Sequence, residues 1–262
     1  MREQCDRMTE VEVMGVGLAR ATESEVVTWV VGHARSGVGG WVVTPNLDIL
    51  RRCVVDEGVR ALVGRADVRV ADGQPLVWAS RLAGDELPER VAGSSLVWTV
   101  SEAAARAGVG VVLIGGSPGD AEAAGRVLAE RYSGLEVLGV HCPAVGFEED
   151  PAAMAEVEAV VKGLGGAIIF VGLGFPKQEL LIERLRELAP ESCWLGVGIS
   201  FSYVAGTVKR APGWARGLGV EWFYRLVQEP GRLWRRYLLE GLPFAVRLGW
   251  WSLRRRLGRS GG

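Results

Sequence analysis

The sequence predicts an α/β fold, a mostly parallel sheet covered on both faces by helices, with a helical tail. Three observations carry this. Short, near-continuous apolar runs alternate with segments of helical period as far as about residue 205, and strands apolar on both faces belong to parallel sheets buried between helices. Glycine is abundant, 37 of 262 residues, about twice average usage. It shows no Gly-X-Y period and clusters after the apolar runs, where strand-to-helix turns are tight. Past Ala205 the strand signal stops, and helical segments interrupted by Pro212, Pro230 and Pro243 follow. The expected organisation is a core over residues 1–206 and a helical appendage over 207–262.

Taken in order, Thr22–Arg35 opens with a capping box, Thr22 with Glu25, and stops near Gly37. Trp41–Val43 is a strand running into Thr44-Pro45-Asn46, and Leu47–Glu57 reads as a helix. Val68–Ala71 is a strand closed by Asp72-Gly73. Ser95–Ala107 is a helix capped by Ser94 or Ser95. Val109–Ile114 is a buried strand, followed by the loop Gly115–Asp120 and a helix to Tyr132. Leu135–Val140, Ala167–Val171 and Cys193–Val197 are strands. Ala152–Leu164 and a segment from Lys177 to Leu188 are helices.

The overall charge of −1 hides an asymmetry. From Thr207 onward there are eleven arginines and one lysine against Glu221, Glu229 and Glu240, a net charge of +9 that leaves −10 on residues 1–206. Five of the ten tryptophans lie in the same tail. A basic, Trp-rich tail on an acidic body signals an anionic partner, a membrane surface or a nucleic acid. The four cysteines form no CxxC, and with only two histidines a zinc ribbon or finger is excluded. The first residues carry no apolar signal-type segment, and no run approaches the roughly 18 apolar residues of a membrane span. The expectation is a cytoplasmic chain with reduced thiols.

In open α/β sheets ligands bind beyond the carboxyl ends of the strands. The polar segments converge there: Thr44-Pro45-Asn46, Asp72-Gly73-Gln74, Gly115-Gly116 with the loop to Asp120, and Gly172-Leu173-Gly174-Phe175-Pro176-Lys177-Gln178-Glu179. The glycine loops can present backbone N–H groups to a phosphate at a helix start. Neither reads as GxGxxG or as a Walker loop, so a tight turn without a ligand is an equal alternative for each. Asp72, at a strand end, can take a proton from an attacking hydroxyl; an ordinary Asp-Gly turn is the plainer reading of the pattern. By pattern alone Arg90 is a surface arginine and His33 a helix-end cation. His141 sits at a strand end, and the cysteines read as small buried hydrophobes.

Together these segments resemble the WecG/TagA/CpsF family, glycosyltransferase family 26, over roughly residues 10–240. The resemblance rests on Thr44-Pro45-Asn46, Ala71-Asp72-Gly73, Glu89-Arg90-Val91-Ala92-Gly93, Leu113-Ile114-Gly115-Gly116 and the run Gly172–Glu179. It continues through Gly196-Val197-Gly198, Ala205-Gly206, Arg210-Ala211-Pro212, Glu221-Trp222-Phe223-Tyr224-Arg225-Leu226 and Glu229-Pro230-x-Arg232. It implies a Rossmann-like core with a C-terminal appendage that completes the site. The implied activity is inverting, metal-independent transfer of a sugar, typically N-acetylmannosamine, from a UDP-sugar to a polyprenyl-diphosphate-linked acceptor. Products of such transfers feed teichoic acid and other surface polysaccharides.

Carried over by position, the family's pocket falls on Thr44, Asn46, Asp72, Arg90 and Gln178, with Asp72 as general base. The appendage arginines fall on Arg225, Arg232 and Arg235, toward the diphosphate, and Ser202 near the uridine; Gly115, Gly116, Gly172, Gly174 and Lys177 are read as donor-binding from their loops at helix starts. No DxD stands at a strand end to hold a metal, and arginines are a coherent substitute for its charge. One departure is at Ser202, where family sequences often carry an aspartate near the uridine. The expected partners are a UDP-sugar, a lipid-linked acceptor and an anionic membrane surface, without cofactor, metal or nucleic acid; a homo-oligomer is compatible with the sequence. The alternative class is a nucleic-acid-binding module using the basic aromatic tail. A Rossmann-type oxidoreductase is disfavoured by the missing dinucleotide fingerprint.

Overall fold

The computed structural model describes residues 8–212, 221–228 and 230–259. The chain opens with two short strands, β1 (Glu10–Val13) and β2 (Val16–Ala19), then α1 (Glu23–Ser36) and β3 (Gly40–Val43). Next come α2 (Leu47–Val55), α3 (Glu57–Gly64), β4 (Val68–Arg69), α4 (Gln74–Leu82) and α5 (Gly93–Ala107). β5 (Val111–Gly115), α6 (Asp120–Arg131), β6 (Val137–His141), α7 (Pro151–Val161), β7 (Ile168–Gly172), α8 (Lys177–Leu185), β8 (Cys193–Gly196) and α9 (Ser200–Ala205) follow. The C-terminal part holds α10 (Glu221–Gln228), α11 (Pro230–Trp234), a π-helical stretch Arg235–Gly241 and α12 (Leu242–Arg259).

The predicted α/β class is the observed one: a six-stranded parallel sheet flanked by helices, with a helical C-terminal part. The β1–β2 hairpin, α4 and α9 go beyond the sequence prediction. A further difference lies at Leu47–Glu57, where the predicted single helix ends at Val55. Asp56 is extended there, and its carboxylate caps α3 by accepting from Val59 N at 3.1 Å.

The chain divides into two compact units, one of Glu23–Val43 and Gly93–Lys209, the other of Met1–Thr22, Thr44–Ala92 and Arg210–Gly262. The first of these holds five of the sheet strands in the order β3-β8-β7-β5-β6, all parallel. β5 and β7 are buried at every position, which is why their sequences are apolar without alternation. Trp41, Trp194, Phe170 and Phe201 are its largest fully buried side chains.

Three neighbouring strands of this unit finish in glycine. Gly115 of β5 pairs with Gly172 of β7, and Gly196 closes β8 beside Val171. A Cβ on Gly172 would stand 2.8 Å from the Phe201 ring and 2.9 Å from the Gly198 carbonyl oxygen. A Cβ on Gly115 would meet the Gly172 carbonyl oxygen at 2.9 Å. Gly116 N–H donates to that same oxygen at 2.8 Å. The loops leaving the three strands thus pack backbone against backbone, a closeness that only glycine permits.

The other unit gathers three separate pieces of the chain. The tail predicted from residue 207 contributes its last piece: α12 packs on α4, and the π-helical stretch on α2. Among the described residues, Ala211, Leu233, Phe244, Leu248 and Ser252 are its buried side chains.

Gly172→Ala is expected to destabilise the protein by about 1–3 kcal/mol, because the added methyl overpacks a fixed ring and a backbone carbonyl. Thermal denaturation of the purified variant measures this; an unchanged midpoint would mean the loops have room to give.

Candidate functional site

In the unit containing residues 44–92, backbone hydrogen bonds tie three of the predicted segments together. Asp72 N–H donates to the Pro45 carbonyl at 2.8 Å, and Val91 N–H to the Ala71 carbonyl at 2.9 Å. Thr44, Asn46, Asp72 and Arg90 are thereby brought into one neighbourhood. Thr44 is buried, and Asn46, Asp72 and Arg90 are half-buried. Thr44 precedes a proline, which keeps it extended. Asn46 then caps α2, its Oδ1 accepting from Asp48 N at 3.0 Å and Ile49 N at 3.1 Å. Its Nδ2 is left to donate elsewhere. Asp72 stands just before the start of α4, whose first turn contains Pro75, and a carboxylate there is favoured by the helix dipole. The loop leading to Arg90 is pinned by Ser80, whose buried Oγ accepts from Leu87 N at 3.0 Å and donates to the Val77 carbonyl at 2.8 Å.

Arginine is concentrated around this cluster, and most of it is paired. Arg90 forms a 2.9 Å ion pair with Glu221 of α10, both largely shielded from solvent. Asp48, 9% exposed, holds Arg51 at 3.1 Å, Arg52 at 3.2 Å and Arg236 at 3.2 Å, and Arg51 also pairs with Glu240. Of the tail arginines predicted to reach a diphosphate, Arg235 is exposed and lies over the Trp234 ring. The side chains of Arg225 and Arg232 lie outside the described residues, as does Cys5.

In the other unit, the loops after β5, β7 and β8 form a second group. Gly115, Gly116 and Gly174 all have positive φ, and the Phe175–Pro176 peptide is cis. Gln178, 5% exposed, joins two of these loops. Its Oε1 accepts from Gly174 N at 3.1 Å and Gly198 N at 3.0 Å, and its Nε2 donates to Glu179 Oε1 at 2.8 Å. Lys177 points outward and pairs with Glu148 at 2.8 Å; that bond holds the Glu148 carboxyl below its ordinary range. Ser202 is buried and gives its hydroxyl to Asp120, whose other oxygen accepts from Thr207 Oγ1 at 2.9 Å. A carboxylate therefore does stand at Ser202, supplied by the start of α6. Cys53 and Cys193 are buried as expected, whereas Cys142 is half-exposed, its thiol pushed up by burial and by Glu122 and Asp120.

Four acidic residues of these clusters were not singled out from the sequence. Glu221 carried a signal, as the first residue of Glu-Trp-Phe-Tyr-Arg-Leu. Asp48 and Asp120 look like ordinary first-turn helix acids, and Arg236 for the first and Ser202 and Thr207 for the second lie far away in sequence. Glu179 looks like the polar face of α8 but is 0% exposed.

Burial pushes the Glu179 carboxyl up from 4.5 to about 7, against the opposing hydrogen bonds from Gln178 and from its own backbone. A carboxyl with a raised folded-state pKa is no burden below the unfolded value, where both states are protonated. The fold then loses stability as pH climbs from about 4.5 to about 7, by about 3 kcal/mol in all. Glu179→Gln stays neutral and escapes that loss. Its stability relative to wild type, followed by denaturant unfolding, should rise by up to that amount between about pH 4 and pH 8; a difference independent of pH would refute the assignment.

A sequence model of the glycosyl transferase WecG/TagA/CpsF family matches residues 11–258. It spans both units and every cluster described above. The chain belongs to the WecG/TagA/CpsF family and is a glycosyltransferase of cell-surface polysaccharide synthesis.

Proposed function

We propose that the chain is an inverting transferase. It moves a sugar resembling N-acetylmannosamine from a UDP-sugar to a polyprenyl-diphosphate-linked acceptor. The observation that carries the reading is Asp72, set at a helix start and laced by backbone hydrogen bonds to the Thr44–Asn46 segment and to the chain beside Arg90, within a family match covering residues 11–258.

In this reading Asp72 takes the proton of the acceptor hydroxyl as that oxygen attacks the anomeric carbon. The bond from the anomeric carbon to the diphosphate breaks on the opposite face, UDP leaves with the electron pair, and the configuration inverts. Thr44, Asn46 and Arg90 hold the reacting groups. Arg225, Arg232 and Arg235 balance the charge on the departing diphosphate, a task for which arginine forks suit phosphate oxygens. The glycine loops at Gly115-Gly116 and Gly172–Gly174, with Lys177, Gln178 and Ser202, receive the nucleotide-sugar. The packing of Gln178 gives it an indirect part, as a fastener of the loops.

The test is a screen of UDP-sugars with a short-chain lipid diphosphate acceptor, run in EDTA and read as UDP release. One donor should turn over without divalent metal. Asp72→Asn should bind UDP as wild type does and lose about 10²–10⁴-fold in turnover. Near wild-type turnover in that variant would remove Asp72 from the mechanism.

We further propose that the tail docks on the inner face of the cell membrane. On α12, Leu242, Val246, Trp250, Leu253 and Leu257 are exposed and recur at intervals of three and four, which puts them on one helical stripe. Trp250, Trp251, Arg247, Arg254 and Arg255 line an open groove of about 710 Å³ with Met14. Trp and Arg together suit an anionic interface. No described helix is long and apolar enough to cross a membrane, so docking would be peripheral. Leu253→Glu with Leu257→Glu should strongly reduce sedimentation with anionic vesicles; unchanged binding would disprove the docking face.

A further inference from the structure

Among the described residues, Glu179 is the one carboxyl in the glycine-loop cluster with no counter-charge and no exposure. It is 0% exposed, its Oε2 has no hydrogen-bond partner among the described residues, and the side-chain bond it receives is from Gln178 Nε2 to Oε1. A buried acid of this kind is costly and is best understood through what it holds. A carboxamide has two orientations that differ only in which end accepts. At Gln178 the oxygen end meets two backbone N–H donors, those of Gly174 and Gly198, and the nitrogen end meets Glu179. Flipping the amide would set NH₂ against two donors and leave its oxygen facing the carboxyl. The absent side chain of Gly196 makes the pair possible: a Cβ there would stand 2.4 Å from Gln178 Nε2 and 2.9 Å from Glu179 Oε1.

We infer that Glu179 is a positioning residue, which locks the Gln178 carboxamide in the orientation that clasps the loops after β7 and β8. Through that clasp it shapes the backbone to which the nucleotide-sugar would bind. The inference rests on the proposed nucleotide reading of these loops for its second half only; the clasp itself does not depend on any ligand. The protonation of Glu179 fits the role, because burial keeps the acid near neutrality and either form offers Oε1 as an acceptor.

The experiment compares wild type, Glu179→Leu and Glu179→Gln by amide hydrogen exchange at Gly174 and Gly198 and by calorimetric UDP affinity. Leucine removes the acceptor, whereas glutamine keeps a carbonyl oxygen for Gln178 Nε2. The Leu variant should lose protection at both glycines and bind UDP about ten- to a hundredfold more weakly, the scale of a buried hydrogen bond left unmade. The Gln variant should recover both, and recovery by the conservative change distinguishes positioning from bulk packing.

Unchanged protection in the Leu variant overturns the inference, and loss of protection with unchanged UDP affinity overturns its second half, the shaping of the nucleotide-binding backbone. If wild type itself does not bind UDP while the exchange pattern holds, the clasp stands and the nucleotide reading fails. Should Glu179→Leu not fold, the reversed pair decides. Gln178→Glu alone sets two acids against each other and should weaken the clasp, and adding Glu179→Gln should restore it. No restoration in the double variant overturns the inference.

Discussion

The close approach of three strand ends is the constraint on which the glycine-loop cluster depends. β8, β7 and β5 lie side by side and finish in Gly196, Gly172 and Gly115. Without Cβ atoms, Gly116 can donate across to the Gly172 carbonyl and the Phe201 ring can press on Gly172. Space is then left beside Gly196 for two buried polar side chains, Gln178 and Glu179. A larger residue at any of the three would push the loops apart and expose a carboxyl now sealed from water. High glycine content in this chain is therefore less a sign of flexibility than of dense backbone packing, with positive φ at Gly115, Gly116, Gly174 and Gly198 fixing the turns.

The second unit is organised by charge. Its three chain segments are linked by ion pairs: Arg90 with Glu221, Asp48 with Arg236, Arg51 with Glu240, and Arg255 with Glu12. Those with exposed partners contribute little each. Asp48 is different, since three guanidinium groups converge on one shielded carboxylate, and without it they would repel one another. The +9 of the tail seen in the sequence is thus partly spent inside the protein. Among the described tail arginines, Arg236 and Arg255 are held in ion pairs, and Arg235 lies over the Trp234 ring.

How much of this was legible follows from range. The buried strands were plain because both their faces are apolar. The helix over Leu47–Glu57 was read too long because Asp56, apparently another polar residue in a helical run, turns extended and caps the next helix. The β1–β2 hairpin was missed because its turn is Met14-Gly15, both with positive φ, and methionine is no turn signal. α4 was missed although Pro75 after Asp-Gly is a fair helix start. In the candidate site, Thr44, Asn46, Asp72 and Arg90 were picked out by motif, and the two backbone hydrogen bonds that bring them together follow from the fold. Ser202 with Asp120 is a contact across 82 residues, and nothing local announces it. Gln178 was read by motif as a contact to the nucleotide-sugar, and sequence does not reveal that its carboxamide oxygen accepts from two backbone amides.

The interleaving of the two units has a consequence for the order in which the protein comes off the ribosome. The sheet unit needs nothing beyond Lys209, whereas the unit carrying Asp72 is assembled from pieces that include Arg210–Gly262. Synthesis proceeds from the N-terminus, and domains fold as their chain becomes available. The glycine-loop half can thus be complete while Asp72 and Arg90 still await Glu221, Arg236 and the packing of α12 on α4. A chain that is nascent or clipped before Arg210 would hold the sheet unit finished and the unit of Asp72 unfinished, so acquisition of the latter waits on synthesis of Arg210–Gly262.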